Sequence, residues 1–157
     1  VQFTATRLHN GSVLVIGGGI VTTVSGVETS APAAVAHVDI YEPSTGNWSS
    51  VSNLNTAESG HTSTLLPDGR VLVVGTVSAQ IYDPASDSWN TAGEMSITRG
   101  APILKGPPDA IHKAVLMNDV TVLITGGADL ELSKYGVEIQ RTGITGIDKY
   151  NPATGWE

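Results

Sequence analysis

Three sets of residues have types and spacings that could do chemistry. The first is VLVIGGG at 13–19, an apolar run breaking into three glycines, as a phosphate cradle does at a strand end. A dinucleotide fingerprint needs glycine at the first, third and sixth places. The run from Gly17 offers Gly17 and Gly19 but Thr22 at the sixth, and no P-loop lysine follows. The second set is His61 and His112, each heading a β-rich run, where two imidazoles could share a metal. The third is charged. RGAPILKGPPDA at 99–110 holds Arg99, Lys105 and Asp109, and ADLELSKYGVEIQRTGITG at 128–146 holds Asp129, Glu131, Lys134, Tyr135, Glu138 and Arg141. Arginine and carboxylate hydrogen bonds beside an aromatic face suit a polar ligand such as a sugar. There is no Ser/His/Asp arrangement, no HExxH and no EF-hand loop.

The elements that must position these residues come from a repeat. LHNGSVLVIGG at 8–18 returns as LPDGRVLVVGT at 66–76 and as MNDVTVLITGG at 117–127. Downstream of each lies a second block, IYEPSTGNW (40–48), IYDPASDSW (81–89) and KYNPATGW (149–156). Each unit predicts four strands. The first runs from Phe3, His61 or His112; the second is the Val/Leu/Ile run; the third carries Tyr41, Tyr82 or Tyr150; the fourth carries Trp48, Trp89 or Trp156. Asn10-Gly11 and Asp68-Gly69 are hairpin signals, whereas Asn118-Asp119-Val120 lacks the glycine and predicts a looser turn. The second strand is apolar on both faces, as in a strand covered on both sides. Gly17, Gly18, Gly75, Gly126 and Gly127 close it. Because the glycines follow a hairpin and precede a Tyr and a Trp, not a helix, they predict a turn of shape and not a phosphate site. Phe3 stands where the other two units have histidine, which favours packing or capping over metal binding for His61 and His112.

These units resemble kelch repeats, whose marks are a glycine pair after a hydrophobic strand and then a spaced Tyr and Trp. The copy HTSTLLPDGRVLVVG followed by IYDPASDSW is especially similar to bacterial-type kelch repeats. The resemblance covers essentially the whole chain. It implies an all-β fold of three four-stranded antiparallel β-propeller blades, at about 1–53, 54–96 and 97–157, with the Tyr and Trp positions structural. Propellers usually have four to eight blades. Three imply either a partial propeller, needing the remaining blades of a longer chain, or a half-ring completed by a second copy; the fourth strand ending at Trp156 favours the former. PDAIHKAVLMNDVTVLITGGADLE at 108–131 is also similar in texture to blades of the galactose oxidase and glyoxal oxidase family. That family would imply copper held by tyrosine and histidine beside a tyrosine cross-linked to cysteine. The chain has no cysteine, and no residue here matches those ligands, so no cofactor is expected unless that relationship holds.

The 157 residues suit one core, and 18 glycines and 8 prolines suit short strands and turns. A net charge of -7 leaves no basic stripe for nucleic acid. No apolar run is long enough for a membrane helix, and no signal peptide is visible. The compartment stays open, with an extracellular or periplasmic one favoured. The repeats are unequal: Gly75 to Tyr82 is a separation of 7, but Gly17 to Tyr41 and Gly126 to Tyr150 are 24. In an up-and-down blade the extra residues and the 99–110 insertion all emerge at one end. The expectation is therefore a non-catalytic module binding a protein or glycan through long loops at that end, with Arg99, Lys105, Asp109, Asp129, Glu131, Tyr135 and Arg141 as candidate contacts.

Overall fold

A computed structural model describes residues 3–20, 23–24, 27–28, 33–58, 60–75, 78–96, 112–132, 139–143 and 146–157. They form strands and turns, with no helix among the described residues. The strands in chain order are β1 Thr4–Arg7, β2 Val13–Ile16, β3 Gly19–Ile20, β4 Thr23–Val24, β5 Val27–Glu28, β6 Ala33–Ala34, β7 Val38–Glu42, β8 Asn47–Ser50, β9 Thr62–Leu65, β10 Val71–Val74, β11 Ala79–Asp83, β12 Ser88–Thr91, β13 His112–Leu116, β14 Val122–Gly126, β15 Ala128–Leu132, β16 Ile139–Gly143, β17 Ile147–Asn151 and β18 Gly155–Trp156. Three four-stranded antiparallel sheets result, in the orders β1-β2-β7-β8, β9-β10-β11-β12 and β13-β14-β17-β18. Each is the same blade-like meander, and the fold is all-β.

The first hairpin of each sheet is closed alike. Leu8, Leu66 and Met117 each donate to the carbonyl four residues on and accept from the amide three residues on, at 2.8–3.1 Å. In each turn the Asn10, Asp68 or Asp119 side chain accepts the amide two residues ahead, an Asx arrangement. The third turn is therefore not looser, correcting the expectation. Its closing bonds force Val120 to a φ of 64°, in the left-handed region that Gly11 and Gly69 occupy at 95° and 91°.

Each sheet has an aromatic face, because register sets Tyr opposite Trp; the alternate residues lie on the other side, aliphatic in the first two sheets and mixed in the third, where Lys113, Thr125 and Lys149 join Val115, Leu123 and Ile147. The aromatic face of the second sheet (Val71, Val73, Tyr82, Trp89) packs on the aliphatic face of the first (Leu14, Ile16, Val38, with Leu8 and Leu54). The third sheet repeats the contact: Val122, Ile124 and Tyr150 pack on Leu72, Val74, Ala79 and Ile81. Strand β9 lies between β1 and β13, so the sheets follow one another in a single direction. Coverage on both faces is met only in the middle sheet, where β10 is buried along its whole length. In β2 burial alternates, with Val13 and Val15 half-exposed, since the first sheet has no neighbour on its aromatic side among the described residues.

Among the described residues, the longer crossings between second and third strands contain paired β-ribbons. In the first sheet β3 pairs with β6 and β4 with β5. In the third, β15 pairs with β16 over five residues. The middle sheet makes the same crossing directly from β10 to β11, with Gly75 donating to the Ser78 carbonyl at 2.8 Å.

Candidate functional site

The end of the sheets that carries the ribbons also carries the links between sheets. Strands β2 and β8 both finish there, and an isolated bridge from Val35, at the base of the first ribbon, to Glu58 ties ribbon to link. Of the candidate contacts, Arg99, Lys105, Asp109 and Tyr135, with Lys134 and Glu138, lie outside the described residues. Asp129 and Glu131 lie on β15 and Arg141 on β16. Register pairs Asp129 with Thr142, Leu130 with Arg141, and Glu131 with Gln140. The two acidic residues of β15 are thus opposed by Thr142 and Gln140. Register opposes Arg141 to Leu130 and to neither acidic residue.

The repeat positions hold the sheets together. Tyr41–Trp48 and Tyr82–Trp89 share one geometry, centroids 5.0 Å apart and planes at 39°; Tyr150–Trp156 is edge-on at 5.1 Å and 61°. The Trp89 indole donates to the Ser52 carbonyl at 2.7 Å, across the link from the first sheet. Asp87 accepts from the Ser52 amide and the Tyr82 hydroxyl, each at 2.9 Å. Those bonds hold the Asp87 carboxyl below its ordinary range, while burial and the Asp87 bond push the Tyr82 hydroxyl up. In the third sheet Trp156 lies over Gly93, where an added Cβ would come within 3.3 Å of the indole.

Both histidines sit at sheet junctions and are buried. His61 Nε2 lies 3.2 Å from the Ile16 carbonyl and 3.0 Å from Thr4 Oγ1, both in the preceding sheet. His112 repeats this with the Val74 carbonyl at 2.9 Å and Thr62 Oγ1 at 3.3 Å. A carbonyl only accepts, so Nε2 carries the proton in each ring. Burial lowers the His61 pKa from its ordinary value, against the opposing pull of the Ile16 and Glu58 carbonyls. Among the described residues no group of three His, Asp or Glu is placed to hold a metal ion.

Three further polar residues that do this work were not singled out from sequence. Gln80 Oε1 accepts the amides of Asn55 (2.9 Å) and Thr56 (3.3 Å), and its Nε2 donates to the Thr56 carbonyl at 3.0 Å. Asp148 accepts the Ser96 amide at 3.2 Å and the Ser96 hydroxyl. Both stand two residues before the repeat tyrosine, and Asn55 and Ser96 both stand seven after the preceding tryptophan, so the periodic signal was present. The third is buried Glu58, whose carboxylate accepts from Ser78 Oγ and fills the space where any side chain at Gly75 would project. Asp109 stands three residues before His112, as Glu58 does before His61. No helix among the described residues is long and apolar enough to cross a membrane. In comparisons with known proteins, no family model and no curated sequence matches the chain.

Proposed function

We propose that the chain is a run of kelch-type propeller blades serving as a non-catalytic binding module, with the ribbon-bearing end holding a protein or glycan. The kelch reading is supported by the threefold recurrence of hairpin, glycine, Tyr and Trp on three like meanders that stack aromatic face on aliphatic face. The observation that carries the binding reading is the asymmetry of the crossings. The first and third sheets spend 17 more residues than the middle one between the repeat glycine and tyrosine, all at one end. The described parts of these crossings pair as ribbons, and extensions on a rigid scaffold are where recognition concentrates. The opposed pairs Asp129–Thr142 and Glu131–Gln140 are residue types that accept and donate, suited to sugar hydroxyls or to a basic peptide.

The test replaces residues 127–146 with the short crossing of the middle sheet and compares this variant with the unaltered chain on glycan and protein arrays. A ligand bound by the unaltered chain and lost by the shortened one, with strand content by circular dichroism otherwise retained, is the expected result. Equal binding by both moves the site away from this ribbon, and no ligand on either array sinks the reading.

A further inference from the structure

Every large hydrophobic residue that is exposed among the described residues belongs to the first or the third unit: Phe3 (61%) and Trp48 (60%) in the first, Val115, Leu116, Met117, Val120 and Ile147 in the third. None is in the middle unit, whose two faces are both covered. The two open faces are not alike. The first sheet presents its aromatic face, with Val13, Val15, Tyr41 and Trp48; the third presents its other face, where Val115, Leu123 and Ile147 lie with Lys113, Thr125 and Lys149. Within the chain these two kinds of face cover each other twice. The exposed Tyr41–Trp48 pair already has the 5.0 Å, 39° geometry of the buried Tyr82–Trp89 pair, so the open socket is formed before anything fills it.

We propose that a second copy of this chain docks head-to-tail, seating the Ile147 face of its third sheet on the Tyr41–Trp48 face of the first. The contact is heterologous, and two such contacts close a ring of six sheets from two chains. It continues the junction already made twice within each chain, with local differences: on the third sheet Lys113 stands where Thr4 and Thr62 stand, and Thr125 where Ile16 and Val74 stand. Phe3 replaces the histidine that donates to the preceding sheet, so the junction between copies lacks the imidazole hydrogen bond made within a chain. Lys149 stands where Ile40 and Ile81 stand in the other units, its ammonium 3.6 Å from Asp119 and 3.7 Å from Glu157, which leaves its aliphatic stem for packing. The inference rests on stacking within the chain and not on what the ribbons bind, so it stands or falls without any ligand.

The test is native mass by light scattering over a concentration series. The unaltered chain is expected at twice the chain mass. Trp48→Arg and Ile147→Arg, both at sites of high exposure and therefore compatible with folding, are each expected to halve it. Mixed in equal amounts they regain a dimer, because one intact aromatic face then meets one intact Ile147 face. If Trp48→Arg loses its strand signal by circular dichroism, Phe3→Asp takes its place as the aromatic-side variant. A monomeric unaltered chain overturns the proposal, even if that monomer binds a glycan through Trp48. An Ile147→Arg dimer, or a mixture that stays monomeric, overturns the head-to-tail polarity.

Discussion

Val120 occupies a backbone region that costs an L-residue about 1–2 kcal/mol, and β-branching makes it a poor occupant. It is held there by its amide bond to the Met117 carbonyl at 3.1 Å and by the Met117 amide bond to the Thr121 carbonyl at 2.8 Å. Those bonds complete a hairpin whose register is fixed over five pairs of β13 and β14. Glycine at this position matches the other two units and relieves the strain, at the cost of a more mobile unfolded chain. Val120→Gly is accordingly expected to stabilise the protein by about 0.5–1 kcal/mol. Urea denaturation reads this as a higher midpoint at unchanged slope; a lower midpoint would show that the valine is not strained.

At the scale of elements, the same repeat position does different work according to whether a link crosses it. Gln80 on β11 holds the link at Asn55 and Thr56 through three hydrogen bonds, and Gln80→Ala strands link amides in a buried setting, an expected loss of about 2–3 kcal/mol. Asp39 is its counterpart on β7, where among the described residues no link crosses. It meets only Ser50 Oγ at 2.8 Å and His37 at 3.1 Å, near the surface. Asp39→Ala should cost less than about 1 kcal/mol, and equal losses for the two variants in chemical denaturation would contradict the assignment. This contrast marks what could be read from sequence. The meander is legible because a turn signal, a Val/Leu/Ile run and a Tyr–Trp pair recur in the same order three times, with Asn-Gly or Asp-Gly at the turn in the first two. The first ribbon is not, because its Gly, Ala, Thr and Val residues give no contrast at period two. In the second ribbon, Ala128 to Leu132 does alternate apolar and acidic, and that alternation was the missed strand signal. The candidate contacts rest on charge and on one aromatic side chain, Tyr135. Charge does not report register, and register opposes Arg141 to Leu130 and not to Asp129 or Glu131.

For the molecule as a whole, stability depends on how sheets join, since each sheet alone leaves an apolar face open. The junction between the first and second sheets includes a neutral buried imidazole, and this sets the direction of its pH response. In the unfolded chain His61 takes up a proton near its ordinary value of about 6.5. In the folded chain burial among Ile16, Thr4 and Glu58 lowers its pKa, so the unfolded state binds more protons as pH falls through that range. Stability is therefore flat above about 6.5 and declines below it, by at most about 1.4 kcal/mol per pH unit for this residue, until the folded-state pKa is reached. The Asp68, Asp87 and Asp119 carboxyls are held below their ordinary values, so their contributions are lost only at lower pH and leave the upper window to histidine. His61→Gln keeps a donor for the Ile16 carbonyl without a titrating ring. It should lower stability at neutral pH yet flatten the decline between about pH 6.5 and 5, measured as urea midpoints at each pH. If the variant and the unaltered chain fall in parallel across that window, His61 is not the proton acceptor that loosens the junction.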